Sequence, residues 1–156
     1  MAHDLEMRRC FDNFFAAIAA AEQGSSKFQL ELAAVIDRWR PFITPKAHVV
    51  LWGVVFGHPQ IDCGYVTTSQ LAANNIEENW ARTASRWYIL ERPWAEIEAE
   101  IASGKRLRPV EEEAKLEASG LRPLDDEVQL IGILSANSQR IRNLIARDDE
   151  APSRES

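Results

Sequence analysis

Eight consecutive residues, VVLWGVVF from Val49 to Phe56, limit the possible folds of this chain more than any other stretch. An apolar run of this length, bounded by turn residues, is either a buried strand or a fragment of a buried helix. Four valines, Trp52 and Phe56 favour the strand, because β-branched and aromatic side chains fit a pleated surface. Gly57-His58-Pro59 then stops it: Pro59 has no amide hydrogen and biases His58 away from helical geometry. Asp62-Cys63-Gly64 supplies a turn, and Tyr65 to Leu71 reads as a second strand, making a hairpin with a long loop between Phe56 and Val66. Trp80–Thr83 and Arg86–Leu90 form another short pair around Ala84-Ser85. Residues 47–92 are thus expected to be a small antiparallel β core, about 47–91.

Within that core the order GHP…GxxxTS…WARTxSRWYxL carries a resemblance. The residues are Gly57, His58, Pro59, Gly64, Thr68, Ser69, Trp80, Ala81, Arg82, Thr83, Ser85, Arg86, Trp87, Tyr88 and Leu90. The segment resembles a group of small uncharacterised alphaproteobacterial proteins, associated with rhizobial plasmid or prophage sequence, that share a domain of unknown function. The resemblance implies a shared fold element and a mobile-element origin, and it implies no activity. Where the group usually has Gly after the Leu, this chain has Glu91-Arg92-Pro93, so the final turn is expected to differ.

The flanks have helical periodicity. From Asp4 to Gln23, Met7, Phe11, Phe14, Ile18 and Ala21 recur at steps of three and four, and Gly24 ends the pattern. Ser26 and Gln29 form a capping-box pattern for a second helix, Lys27–Arg38, with Phe28, Leu32, Val35, Ile36 and Trp39 on one side. Residues 4–46 are therefore expected to be a helical hairpin whose Phe11, Phe14, Ile18, Leu32, Val35, Ile36 and Trp39 cover one face of the sheet. After Pro93, Trp94, Ile97 and Ile101 mark a helix closed by Gly104, and Val110–Ser119 a second with an acidic first turn. The last helix, Asp125 to about Arg147, has Val128, Ile131, Leu134, Ser138, Ile141 and Ile145 at heptad-like steps, with Leu130, Ile133 and Leu144 outside that seam. Residues 1–147 are expected to form a single α+β domain, with 93–147 its C-terminal helices and 148–156 a disordered tail.

Charge and cysteine usage narrow the function. The 156 residues carry a net charge of −6, which argues against non-specific binding to nucleic acid or to an anionic membrane. Residues 124–156 hold 7 acidic and 4 basic side chains, so the acidity is C-terminal. No apolar run approaches the length of a membrane span, and MAHDLEMRRC has neither the basic start nor the apolar core of a signal peptide. Cys10 and Cys63 read as two free thiols, and a cytoplasmic location follows as the expectation.

Chemistry-bearing sets are scarce. His3, His48 and His58 fall into no metal-ligand spacing, so neither metal nor cofactor is expected. Cys63 with His58 and Asp62 lacks an identifiable oxyanion donor, and Glu96/Glu100 and Glu111–Glu113 read as solvated helix faces. One constellation stands above this background. Arg82, Arg86, Tyr88 and Arg92, with His58 nearby, are candidate binding residues, Arg86 and Tyr88 sharing a wet strand face with Trp87 behind them. The seam residues Val128, Ile131, Leu134, Ile141 and Ile145 are candidates for self-association as a homodimer. The sequence therefore supports a non-enzymatic protein-binding or regulatory module, an adaptor or inhibitor acting on an unidentified protein. A small nucleic-acid-associated regulator using the Arg/Tyr strand is the alternative, and an enzyme of unnamed reaction the third.

Overall fold

The structure, a computed structural model, describes residues 2–24, 27–58 and 64–150. Its elements run α1 (Ala2–Gln23), α2 (Lys27–Glu31), β1 (Ala34–Ile43), β2 (Val49–Phe56), β3 (Gly64–Thr67), β4 (Leu71–Asn75), β5 (Trp80–Thr83) and β6 (Trp87–Leu90). They continue with α3 (Trp94–Ala102), α4 (Val110–Ala118), β7 (Arg122–Pro123) and α5 (Glu127–Glu150). The fold is α+β, and the described residues form one mixed sheet of seven strands in which β3-β2-β1-β6-β5-β4 lie side by side and β7 joins the far end of β1.

The expected second helix is the main correction. Only Lys27–Glu31 is helical, and Ala34–Ile43 is a ten-residue strand inside the sheet. Val35, Ile36 and Trp39 fit a helical stripe, yet the same residues fit a strand once alternation is read around a bulge. Ala34 and Ile36 face the core, Val35 faces the other way, and Leu32, expected in the core, is 71% exposed. The register against β2 slips between Asp37 and Arg40, and Arg38 takes a positive φ of 56° to absorb the extra residue. Gly53 sits opposite that slip: a Cβ there would lie 2.7 Å from the Asp37 carbonyl oxygen and 3.1 Å from the Trp39 Cα. The glycine inside the apolar run is thus what allows the bulge to form. Because β1 runs parallel to β6, the sheet is mixed where an antiparallel one was expected.

Consecutive strands β3 and β4 sit at opposite ends of the six-strand path, and that fixes the sheet's shape. Thr67 to Leu71 spans four Cα steps, at most about 14 Å. Edge strands of a flat six-stranded sheet would stand about 24 Å apart. The sheet must therefore roll until its edges approach. The link closes the roll on both sides: Thr68 N donates to Leu51 O at 2.8 Å, and Ala84 N to Gln70 O at 2.8 Å. Thr68 Oγ1, buried with its residue, accepts from Leu51 N at 3.1 Å. The expected strand Tyr65–Leu71 is thereby divided into β3 and the start of β4.

Inside the roll, Ile36, Leu51, Val55, Leu71, Tyr88 and Leu90 meet Leu124, Leu130 and Leu134, so α5 plugs the open side. The outer face at β1–β2 packs Phe42 and Trp52 on Trp94, Ile97 and Leu116 of α3 and α4. Trp52 is the hub there, edge-on to Phe42 at 5.8 Å and to Trp94 at 5.2 Å, and stacked on Tyr65 at 4.9 Å. Strand β2 is buried on both faces, which is why its sequence runs apolar without alternation. Helix α1 packs Phe14, Ala17 and Ile18 on Ala72 and on Ile141 of α5. The expected role of Phe14 and Ile18 holds. Ser26 and the side chains of Phe11 and Phe28 lie outside the described residues. Residues 148–150, expected in the tail, are helical.

Glu91-Arg92-Pro93 does not turn back on itself. It runs on beside β1, with Glu91 N donating to Ile36 O at 2.9 Å and Trp39 N to Arg92 O at 3.2 Å.

Candidate functional site

Pairing on the β5–β6 hairpin disperses the candidate arginine–tyrosine patch. Arg82 is directly opposite Trp87, and Ala81 opposite Tyr88. Arg82 and Trp87 therefore share one face and Tyr88 lies on the other. That second face lines the inside of the roll, and Tyr88 is 4% exposed in the main core. Burial also raises the pKa of its phenol. The expectation that Tyr88 stands with Arg86 on a wet face is corrected, because curling of the sheet makes Tyr88's face the interior.

Each arginine has its own role. The Arg82 guanidinium lies over the Trp87 ring at 5.3 Å, and Trp80 braces that ring edge-on at 5.4 Å. Arg82 Nε is closed off from solvent without a hydrogen-bond acceptor, and desolvation lowers the pKa of the group. Arg92 is tied to Asp37 at the β1 bulge: Nη2 donates to Oδ2 at 2.6 Å, Nε to Oδ1 at 3.2 Å, and its backbone N to Oδ1 at 3.1 Å. Burial alone would raise the Asp37 pKa, but these bonds and the Arg92 charge outweigh it and hold the carboxyl below its ordinary 3.8. Arg92 is thus an anchor for the strand crossing. Arg86 lies near enough to His58 for its charge to lower the imidazole pKa, behind desolvation as the larger cause. Arg82, Arg86, Tyr88, Arg92 and His58 do not converge on one surface.

The C-terminal seam is also divided. Along α5 the residues that enter the protein are Leu130, Leu134, Asn137 and Ile141, each 8% exposed or less. Their steps of four, three and four are the ordinary helical stripe, whereas the heptad-like reading began two residues early, at Val128. Leu134 and Ile141 are therefore intrachain core, and Ile145 packs beside α1. Val128 and Ile131 are 80% and 54% exposed. The polar residue within the buried stripe is Asn137, whose Nδ2 donates to Ala47 O at 3.1 Å and ties α5 to the β1–β2 connection. Sequence reading missed Asn137, and starting the stripe at Leu130 would have found it.

Beside the exposed half of α5 runs a groove. Its larger part, about 410 Å³, lies between α1 (Ile18, Ala21, Glu22), β4 (Ala72–Asn74) and α5 (Ile131, Leu134, Ser135, Ser138, Gln139, Arg142). An Arg142–Glu22 ion pair spans α5 and α1 there. A second part of about 210 Å³ shares Asn74 and Ile131 and adds Asn75, Ile76, Glu77, Glu127 and Leu130. Ile76, in the β4–β5 turn, is 42% exposed. Two large aliphatic side chains, Ile76 and Ile131, thus line a groove beside the last strand of the sheet path while standing largely in water, and Val128 is exposed on the same helix as Ile131. Such an arrangement can hold an apolar segment of another molecule.

Other charged residues pair with one another on the surface. Arg106 and Arg92 approach Glu100, and Arg108 pairs with Glu113. Asp62 and Cys63 lie outside the described residues. Among the described residues no group of three or more His, Cys, Asp or Glu is placed to hold a metal ion, and no helix is long and apolar enough to cross a membrane.

Neither the curated proteins nor the solved structures contain a significant match to this chain. A family model does match, and it covers residues 4–156, far beyond the short segment that carried the resemblance. The chain belongs to the family of unknown function DUF6634.

Proposed function

We propose that the chain is a protein-binding module, an adaptor or inhibitor that holds a segment of another protein in the groove between β4 and α5. The observation that carries this reading is the exposure of Ile131 and Ile76 in the lining of the groove, with Val128 exposed on the same helix. Aliphatic side chains that the fold leaves in water beside a preformed cleft favour association, at about 25 cal/mol per Å² of apolar area covered. A different protein suits the surface better than a second copy. A two-fold contact through this patch would bring Glu77 and Glu127 of each copy towards like charges. The mobile-element origin implied by the resemblance would fit an inhibitor of a host or defence protein.

One observation favours a second reading. Arg82 on Trp87 is a cation without an anionic partner among the described residues, as a nucleic-acid contact would use. Tyr88 in the core offers no ring for a base. A salt titration with single-stranded oligonucleotides separates the two, since phosphate contacts give a steep loss of affinity with salt.

Photo-crosslinking in producing cells tests the main reading. A crosslinking residue at position 128 or 131 is expected to give one discrete protein adduct that the same residue at exposed Glu111 does not give. The same adducts from position 111 as from 128 or 131, or none from 128 and 131, would refute the proposed surface.

A further inference from the structure

The groove has a charge pattern as well as a shape, and the pattern selects its occupant. Four carboxylates surround the start of α5, and two of them are already engaged. Asp125 accepts two hydrogen bonds from Arg40, at 2.9 and 2.7 Å. Asp126 Oδ1 accepts from Val128 N at 2.9 Å and Gln129 N at 3.2 Å, capping the helix. Among the described residues Glu127 and Glu77 take part in no ion pair, and both line the smaller part of the groove together with Ile76, Leu130 and Ile131. Among the described residues no basic side chain lines that part.

We infer that the partner segment carries a lysine or arginine next to aliphatic residues, its methylene stem lying on Ile76 and Ile131 and its charge between Glu77 and Glu127. This rests on the protein-binding reading above and deepens it. Long basic side chains bury apolar stems while keeping the charge at the rim, and this one part of the groove, about 210 Å³, is lined by both kinds of group. The α5 N-terminus opposes a cation with about half a positive charge, part of it answered by the Asp126 cap. Two full carboxylates outweigh it. The pattern also discourages a second copy, whose matching face is acidic.

A library of displayed 12-residue peptides, selected on the full chain, is the probe. Enriched peptides are expected to place Lys or Arg beside Leu, Ile or Val. Their affinity should fall at least tenfold in Glu77→Gln/Glu127→Gln and fall with added salt. It should be lost in Ile131→Glu. Enriched peptides that are neutral or acidic, or indifferent to the double Gln variant, yet lost in Ile131→Glu, would overturn the basic occupant and leave the protein-binding reading standing. No enrichment, or binding unaffected by Ile131→Glu, would overturn both. Equal urea midpoints for the variants and the parent chain confirm that each reports on binding rather than folding.

Discussion

Along α5, Leu130, Leu134 and Ile141 are at most 8% exposed, whereas Val128 and Ile131, of similar character and on the same helix, are 80% and 54% exposed. The first group completes the core inside the rolled sheet and against α1. The second touches the groove beside β4 or stands in water. One helix thus carries two stripes, and only one is needed by the fold. Exposed apolar residues beside a groove, which folding does not use, are the basis of the functional reading.

Core substitutions should show the largest difference between the stripes. Ile36→Ala or Leu51→Ala, at fully buried positions, should each cost about 2–5 kcal/mol in urea unfolding, and Leu134→Ala should fall in the same range. Val128→Ala and Ile131→Ala should stay within about 0.5 kcal/mol of the parent chain. A loss at Ile131 as large as that at Leu134 would mean the stripes are not distinct.

Next in size is the β1 bulge. Gly53→Ala drives a Cβ against the Asp37 carbonyl, a backbone atom that cannot swing aside, and about 1–3 kcal/mol should be lost. Asp37→Asn, read by acid titration of stability, should have a comparable effect at neutral pH, about 1–3 kcal/mol. Because the folded Asp37 pKa lies below 3.8, its contribution is complete above that pH and is lost as pH falls through the folded value. The parent chain should therefore weaken below about pH 4, and the Asn variant should show a shallower acid slope. Equal slopes would remove the Asp37–Arg92 pair from the account.

The part of this molecule legible in its sequence was the part where one period dominates. Val49–Phe56 is a strand on composition alone, and Asp4–Gln23 a helix on spacing alone. Residues 34–43 fit two periods because the bulge at Asp37–Arg40 breaks their alternation, and the cause of the bulge, Gly53, lies on another strand. The rolling of the sheet was hidden for a similar reason. It follows from strand order, which depends on pairing between distant segments, and it is what sends Tyr88 inward. On α5 the apolar residues were plain in the sequence. Which stripe enters the core was not, since Val128 and Leu130 both start plausible series and only the sheet's position decides between them.

Asn137 offers a finer test of that choice. Its amide is 3% exposed and bonded to Ala47 O, so Asn137→Ala should cost about 1–2 kcal/mol, while Ser138→Ala, on the groove side, should be close to neutral. A reversed order of the two would restore the heptad-like seam.

The central claim is that the outer stripe of α5 serves binding and not folding. It is tested most directly by the affinity of Ile131→Glu for a peptide selected on the full chain, measured on proteins with matching urea midpoints. The account predicts affinity at least tenfold weaker, about 1.4 kcal/mol or more, at unchanged stability. Unchanged affinity at unchanged stability would contradict it.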